Sequence, residues 1–382
     1  FRSNNKRIYM NNLKKIGLTA LAGSLVAVGA QAGEMAVTGS LGVTYSTQNG
    51  NVQSVNSTNA LQGANPDHGT GLGTDKDFQV SGSGELDNGF TFSGYTLLKD
   101  TMTLSSSALT MTMGSMGSLT MGTGYGGNST KYDVQTPKAY EEVDDGGATS
   151  LSANFVGNFL DSNGIAYTSP SIDLGGISVT ADIEYAPEAN DTATNDGGAS
   201  SSAAWSSGKS LGLTFSGHGA TVGVYGAERE TDSTTVGVND SFNGVYYVNY
   251  AMGPVSVGYS KSYHDAGTQG AALAMTAEKE VNGSTSAGIF EAETMSIAFN
   301  VNDNLSVSYA KAEDTYDAQA SSTNDNNGAT VDDVTMDMKS IQAAYSMGAM
   351  SIKAYRTETD NVDYQSTGGK LTINEIAVGL AF

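Results

Sequence analysis

Cysteine is absent from the sequence, and only three of its 382 residues are histidine. The first absence excludes disulfides, thiol chemistry and thiolate metal sites. The second leaves little for catalysis: His264 beside Asp265 is the most suggestive pair, and adjacent residues of a strand point to opposite faces. After residue 32, no stretch approaches the ~18 consecutive apolar residues of a membrane-spanning helix. The sequence therefore predicts neither an enzyme nor a helical membrane protein.

Basic residues are also scarce. There are 18 Lys and Arg against 40 Asp and Glu, which gives a formal net charge of −22. So acidic a chain repels nucleic acid and attracts cations. We expect no nucleic-acid partner and no required cofactor, but loosely bound Ca²⁺ or Mg²⁺ among the acidic loops. A calcium-binding loop of the EF-hand type is not predicted, because segments such as "DNNGATVDD" lack the bidentate Glu at the twelfth position.

Residues 10–32 have the three parts of a secretory signal peptide. Lys14 and Lys15 precede an apolar stretch from residue 16 to residue 28, and "AQA" at residues 30–32 provides the small residues of a cleavage site. Residues 1–9 precede the first Met and form an extension of unknown status. Removal of residues 1–32 leaves 13 cations and 40 acids, a net charge of −27.

The exported part, residues 33–382, alternates apolar residues with small or polar ones. In the final segment "TINEIAVGLAF", one face carries Ile376, Val378, Leu380 and Phe382. Two-residue periodicity of this kind predicts a strand with two unlike faces, and sixteen such segments can be found. A sheet with an oily face must close, so that every backbone group is paired. The mean hydropathy of −0.24 fits, because a transmembrane barrel needs apolar residues at only half of its strand positions.

Short and long connections largely alternate along this part. Between tight turns such as "LDNG" and "GHG" lie long polar segments near 50–74, 125–163, 187–207, 231–243, 264–291, 314–337 and 361–369. The alternation is typical of an antiparallel up-and-down transmembrane β-barrel of the outer membrane, with short periplasmic turns and long extracellular loops. We expect Phe382 in the lower aromatic girdle. An upper girdle is predicted at Tyr45, Tyr185, Tyr250, Tyr259 and Tyr309.

Two features carry a resemblance to a known family. The segment "GSLTMGTG", followed by a long acidic stretch and "IAYTSPSIDLGGISVTADI", is similar to the part of general porins in which a strand leads into the constriction loop and returns. The terminal Phe382 resembles the barrel-assembly signal of that family. The sequence thus resembles the trimeric general porins of Gram-negative bacteria, of alphaproteobacterial type. The resemblance implies a homotrimer that contacts membrane lipid and lipopolysaccharide, is inserted by the barrel-assembly machinery, and passes small hydrophilic solutes and ions by passive diffusion.

The resemblance also implies that the longest connection, at about residues 125–163, folds into the barrel as a constriction loop. This segment contains "YEEVDDGG", which supplies Glu141, Glu142, Asp144 and Asp145. Carboxylates in a narrow passage between low-dielectric walls concentrate cations and raise the barrier for anions. The alternative is a solvated acidic loop outside the barrel.

Basic residues of the pore wall must face inward. Strand parity places Lys99, Arg229 and Lys353 on inner faces, whereas Lys261 and Lys311 share a face with lipid-facing neighbours. With few inward cations and many acids, the sequence predicts a preference for cations.

Two other functions stay open. A substrate-selective porin would need aromatic residues along the lumen, for which Tyr95, Tyr225 and Tyr355 are candidates. A secreted acidic surface or adhesin β-protein would share the composition, but it would need neither a lipid-facing terminal Phe nor the alternation of short and long connections.

Overall fold

The computed structural model describes residues 33–50, 67–144, 156, 160, 162, 164–189, 205–232, 239–267, 288–317, 333–364 and 369–382. They form strands and connections, with short 3₁₀ turns at Gly114–Met116, Ser129–Lys131 and Val362–Tyr364. No helix in this part of the chain is long and apolar enough to cross a membrane. The predicted extension 1–9 and signal peptide 10–32 lie outside the described residues.

Seventeen strand segments follow one another along these residues. They are β1 (Glu34–Gly50), β2 (Asp67–Glu85), β3 (Thr91–Lys99), β4 (Thr103–Thr112), β5 (Ser118–Thr123), β6 (Ile165–Thr168), β7 (Ile172–Asp173), β8 (Ser178–Ala186), β9 (Trp205–Gly217), β10 (Ala220–Thr231), β11 (Ser241–Met252), β12 (Val255–Asp265), β13 (Ile289–Asn300), β14 (Leu305–Asp317), β15 (Val334–Met347), β16 (Met350–Asp360) and β17 (Lys370–Ala381).

All strand pairs are antiparallel, and the sheet closes on itself because β1 pairs with both β2 and β17. Both β6 and β7 pair with β8, so they are two pieces of one strand, interrupted around Pro170. Proline lacks the backbone N–H that a strand ladder requires. The barrel therefore has the predicted sixteen strands.

Phe382 extends the closing seam between β1 and β17. Phe382 donates its N–H to the carbonyl of Gly39 at 3.0 Å and accepts the N–H of Gly39 at 2.9 Å. The Phe382 ring packs over the backbone of Gly39, where a side chain would collide with it. The ring is 64% exposed on the outer surface, at the end of the barrel that carries the short turns.

The two faces of the strands differ as the periodicity predicts. On β10, Val224 is 49% exposed on the outside, whereas Tyr225 is 3% exposed on the inside. Lys261 and Lys311 face outward, where they form ion pairs with Glu293 and Glu313. The parity prediction for these two lysines is confirmed.

Two local predictions were wrong. The predicted loop at 50–74 ends early, because β2 begins at Asp67 and pairs with β1 from Asp67 to Ser83. From Gly69 to Gly73 its inner positions are glycines and only Leu72 is apolar, so the hydrophobic alternation is too weak to reveal the strand. Tyr250 lies at the short-turn end, since β11 runs down from a long connection to the turn at 253–254.

Candidate functional site: a loop folded into the barrel

After β5 the chain turns into the barrel. Gly124, Gly126 and Gly127 have φ values of 58°, 85° and 59°, in the left-handed region that glycine adopts without steric cost. The 3₁₀ turn at 129–131 follows. Residues 124–144, called the inner loop below, then cross the inner wall from β8 towards β17.

Two buried carboxylates on β8 hold the start of the inner loop. Asp182 is 2% exposed and accepts hydrogen bonds from the Lys131 ammonium at 2.5 Å and the Tyr132 hydroxyl at 2.7 Å. Glu184 is 1% exposed and accepts the backbone N–H of Asn128 at 3.0 Å. A buried carboxylate is costly unless it has partners, and charge-assisted bonds are strong. These contacts therefore fix the loop to β8.

Aromatic packing continues the attachment. Tyr132 stacks on Tyr225 of β10 with ring centroids 5.0 Å apart, and it is tilted against Tyr247 of β11 at 6.5 Å. Gly212 of β9 lies against the Tyr132 ring, where any side chain would collide. Burial raises the pKa of the Tyr132 phenol well above its ordinary value, and the neighbouring Asp182 acts in the same direction. The phenol thus stays protonated and remains a donor.

The middle of the inner loop lies on a wall of small side chains. Pro137 packs against Gly258 of β12, which has no room for a Cβ. The N–H of Ala139 donates to Ser308 Oγ of β14 at 2.9 Å. Because the wall residues are small, the backbone of the loop can approach the sheet closely. The buried residues of this seat include Ser256, Ser260, Thr294, Ser296, Ala298, Ala310 and Ala312.

Tyr140 attaches the far end of the inner loop to β15, β16 and β17. Its N–H donates to Gln342 Oε1 at 2.9 Å and its hydroxyl to Glu375 Oε1 at 2.8 Å. The Lys353 ammonium lies 4.8 Å from the centroid of the Tyr140 ring, and the Tyr355 ring lies 5.7 Å away. Burial, followed by the bond to Glu375, raises the pKa of Tyr140.

Three of the four predicted constriction acids lie on the inner loop inside the barrel. Glu141, Glu142 and Asp144 are all partly exposed, and Glu142 forms an ion pair with Lys138. Val143, between them, is buried and joins a cluster that contains Phe290, Tyr316, Met336, Met338 and Tyr364. Asp145 lies outside the described residues, as does most of the segment 145–163.

The three predicted wall cations face inward but do not come together. Lys99 is exposed at the end of β3, in register with Asp77. The guanidinium carbon of Arg229 lies 3.8 Å from the centroid of the Trp205 ring, and Lys353 covers the tip of the inner loop. Among the described residues, no cluster of cations faces the loop acids.

Sequence reasoning missed the anchors of the inner loop. Lys131, Asp182 and Glu184 were not singled out as functional residues, although Asp182 and Glu184 alternate with apolar residues on β8. Two acids at successive inner positions of a strand beside a long loop were the available signal. Their partners lie about fifty residues earlier in the chain, so periodicity could not identify them.

The described residues offer neither a metal cluster nor a catalytic pair. No group of three His, Cys, Asp or Glu is placed to hold an ion. His264 lies on β12, is 5% exposed and hydrogen-bonds through Nδ1 to Asn243 Oδ1. Between the loop and β10–β12 lies a cavity of about 490 Å³, lined by polar side chains that include Thr130, Gln135, Lys138, Glu142, Thr221 and Asn249.

A closed antiparallel barrel with an apolar exterior and a loop seated in its interior defines a transmembrane β-barrel channel. A family model described as Gram-negative porin matches residues 17–302. The chain belongs to the Gram-negative porin family, whose members are passive outer-membrane channels and not enzymes. The predictions of a Gram-negative porin, of the fold class and of an outer-membrane location are confirmed, and the alphaproteobacterial type stays a prediction. A comparison with curated protein sequences finds no match.

Solved porins have the same fold. A porin structure refined at 1.8 Å is 16% identical, with a TM-score of 0.57 over 91% of this chain and 100% of that one. OmpF of Salmonella typhi in complex with daunomycin is 10% identical, with a TM-score of 0.59 over 93% and 100%. The trimer form of OmpT from Vibrio cholerae is 12% identical, with a TM-score of 0.50 over 92% and 100%. Identities this low establish the fold alone.

Proposed function

We propose that this porin is a cation-preferring, water-filled channel for small hydrophilic solutes and ions, with the segment 125–163 as its constriction loop. The observation that carries the proposal is the path of the inner loop, which crosses the barrel interior and brings Glu141, Glu142 and Asp144 with it. Acids at the narrowest part of a low-dielectric passage favour cations.

The distribution of inward charge supports this preference. Lys138 is paired with Glu142 of the inner loop and Lys131 with Asp182 of β8, so each of these two loop cations has an acid beside it. The wall strand β2, away from the loop's attachments, carries the inward acids Asp75 and Asp77. The passage is therefore acidic on the loop side and on the β2 side.

The lumen offers little to a stereospecific pore. Tyr225 is 3% exposed beneath Tyr132, and Tyr355 is 8% exposed beneath Tyr140. Tyr95 lines a separate cavity between β1 and β4. Because two of the three candidate aromatics are covered by the inner loop, a general diffusion pore fits better than a substrate-selective one. A surface or adhesin protein is disfavoured by the closed barrel and the family.

Membership of a homotrimer is part of the proposal, and one structural neighbour is a trimer. The outer surface supports contact with lipid and lipopolysaccharide, because outward ion pairs such as Lys261 with Glu293 and Lys370 with Asp360 lie towards the long-loop end. We propose that outward acids at that end bind Ca²⁺ or Mg²⁺ loosely. Phe382 is proposed as the signal for the barrel-assembly machinery.

Ion selectivity tests the central claim. The purified protein in a planar bilayer under a KCl gradient should show stepwise openings and a reversal potential of the cation-preferring sign. Amide substitution of the four predicted constriction acids (E141Q, E142Q, D144N, D145N) should move that potential towards zero.

A matched control removes four outward carboxylates instead (E291Q, E293Q, E313Q, D337N). It changes the net charge by the same amount and should leave the reversal potential in place. Equal effects of the two sets would mean that net charge, and not the loop, sets selectivity. An anion-preferring wild type would overturn the proposal.

A further inference from the structure

Strand β2 extends far beyond its neighbour β3 at the long-loop end. It pairs with β1 from Asp67 to Ser83, but with β3 only from Asp77 to Glu85. β3 and β4 have 9 and 10 residues, which is the length that crosses a bilayer. Residues 67–75 therefore project past the membrane by about 30 Å along the strand, at ~3.4 Å per residue.

One edge of this projecting segment has no strand partner among the described residues. The carbonyl of Lys76 faces the β3 side, where it accepts the N–H of Asp100 at 2.8 Å. In an antiparallel strand, backbone groups point alternately to the two neighbours. The N–H and C=O groups that point away from β1 are therefore those of Thr70, Leu72 and Thr74.

Side chains do not protect this edge. Leu72 is 79% exposed, and a Cβ added at Gly69 or Gly71 would meet no atom within 4 Å. From Gly69 to Thr74 there is no charge and no proline, the two devices that usually block edge pairing. A bare edge of this kind is a template for another strand.

The outer surface beside the edge indicates the partner. β9–β17 carry outward ion pairs towards the long-loop end, such as Lys209 with Glu228 and Arg356 with Glu358, which suit charged lipid headgroups. The outward side chains of β3, β4, β5, β6 and β8 are uncharged, with Leu109, Met121, Ile183 and Tyr185 all about half exposed. A face without headgroup contacts suits a protein neighbour.

We propose that the free edge at Thr70–Thr74 pairs with a strand of a second copy of this chain, packed against the β3–β8 face. This inference rests on the homotrimer in the proposed function and not on the channel itself. In a ring of copies, each contact joins two different surfaces of the chain. The free edge of one copy can therefore pair with a different surface of the next copy.

Hydrogen exchange tests the pairing directly. In the intact oligomer, the amides of Thr70, Leu72 and Thr74 should be protected like those of Gly71 and Gly73, which bond to β1. In monomer released by mild heating in detergent, the first three should exchange at least tenfold faster and the glycines should not. Fast exchange in the intact oligomer, or equal protection in the monomer, would overturn the proposal.

Two variants test the edge independently. Leu72→Pro removes a free-edge N–H, and the pair Thr70→Lys with Leu72→Lys adds charge without changing the backbone. Both should lower the temperature at which the oligomer dissociates on a gel. Leu72→Ala and the pair Thr47→Lys with Asn49→Lys, at outward positions of the paired strand β1, should not. A protein that conducts ions but runs as a monomer in native mass spectrometry would refute the inference and leave the channel.

Discussion

Replacing Asp182 with Asn should loosen the inner loop without unfolding the barrel. The asparagine side chain has the same size and keeps one carbonyl oxygen. It loses the negative charge that holds the Lys131 ammonium at 2.5 Å, and it loses one of the two oxygens that accept hydrogen bonds from hydroxyl groups. Its two hydroxyl donors, from Tyr132 and Thr168, lie at 2.7 and 2.6 Å. The barrel ladder around β8 does not depend on any of these bonds.

The size of the effect follows from the environment of each partner. A hydrogen bond to a charged group contributes about 1.5–3 kcal/mol. The Lys131 side chain is 42% exposed, so solvent screening places the loss at the lower end of that range, about 1.5–2 kcal/mol. Since 1.4 kcal/mol is a factor of ten, the ratio of displaced to seated loop should rise about 10- to 30-fold.

Single-channel recording measures this ratio as the fraction of time spent in partly closed states. Tyr132→Phe, which removes one hydroxyl donor to the same carboxylate, worth about 1.5 kcal/mol at the lower end of that range, should raise the fraction about tenfold. Asp337→Asn, on the outer face, is the control with the same chemical change. If Asp182→Asn recordings match wild type, the buried carboxylate does not hold the loop.

The same anchor has a defined pH limit. Burial raises the folded-state pKa of Tyr132 above its ordinary value, so the phenol donates fully below about pH 10. Its contribution is lost only as the pH rises towards the raised value. Deprotonation of Tyr132 should therefore not increase the fraction of time spent in partly closed states between pH 7 and pH 10. If so, this fraction should depend on pH in the same way in the wild-type and the Tyr132→Phe channels.

Three further changes have separate readouts. Tyr140→Phe removes the 2.8 Å bond to the Glu375 carboxylate and should raise the closed fraction about tenfold, for a loss of about 1.5 kcal/mol. Gly258→Ala puts a methyl group under Pro137 and should lower conductance by pushing the loop into the passage. Gly69→Ala, which meets open space, should leave conductance unchanged. Phe382→Ala keeps both backbone bonds to β1 and should reduce the yield of heat-modifiable barrel in outer membranes, while the barrels that form conduct normally.

Two-residue periodicity was sufficient to predict most of the strands, their number and the outward faces of Lys261 and Lys311. It worked because lipid and water lie on opposite sides of one sheet, so the polarity of each strand residue follows the medium that its side chain faces. It failed for the first half of β2, where glycine replaces the polar partner of the alternation. The path of the inner loop was outside its reach, because the bonds from Ala139 to Ser308 and from Tyr140 to Gln342 join residues 169 and 202 positions apart. Arg229 and Lys353 were assigned to the right face, but sequence could not show that aromatic rings cover them.

The wall of small residues beneath the inner loop has a consequence for how such channels can diverge. The width of the passage depends on how close the loop lies to β12–β14, and that distance is set by side chains that no solute touches. Enlarging Ser256, Gly258 or Ala310 by a few carbon atoms would narrow the opening, and the carboxylates that set charge preference would stay as they are. The selectivity of the channel for solute size and its selectivity for charge thus depend on different residues. Mutations can therefore change one of them while the other stays constant.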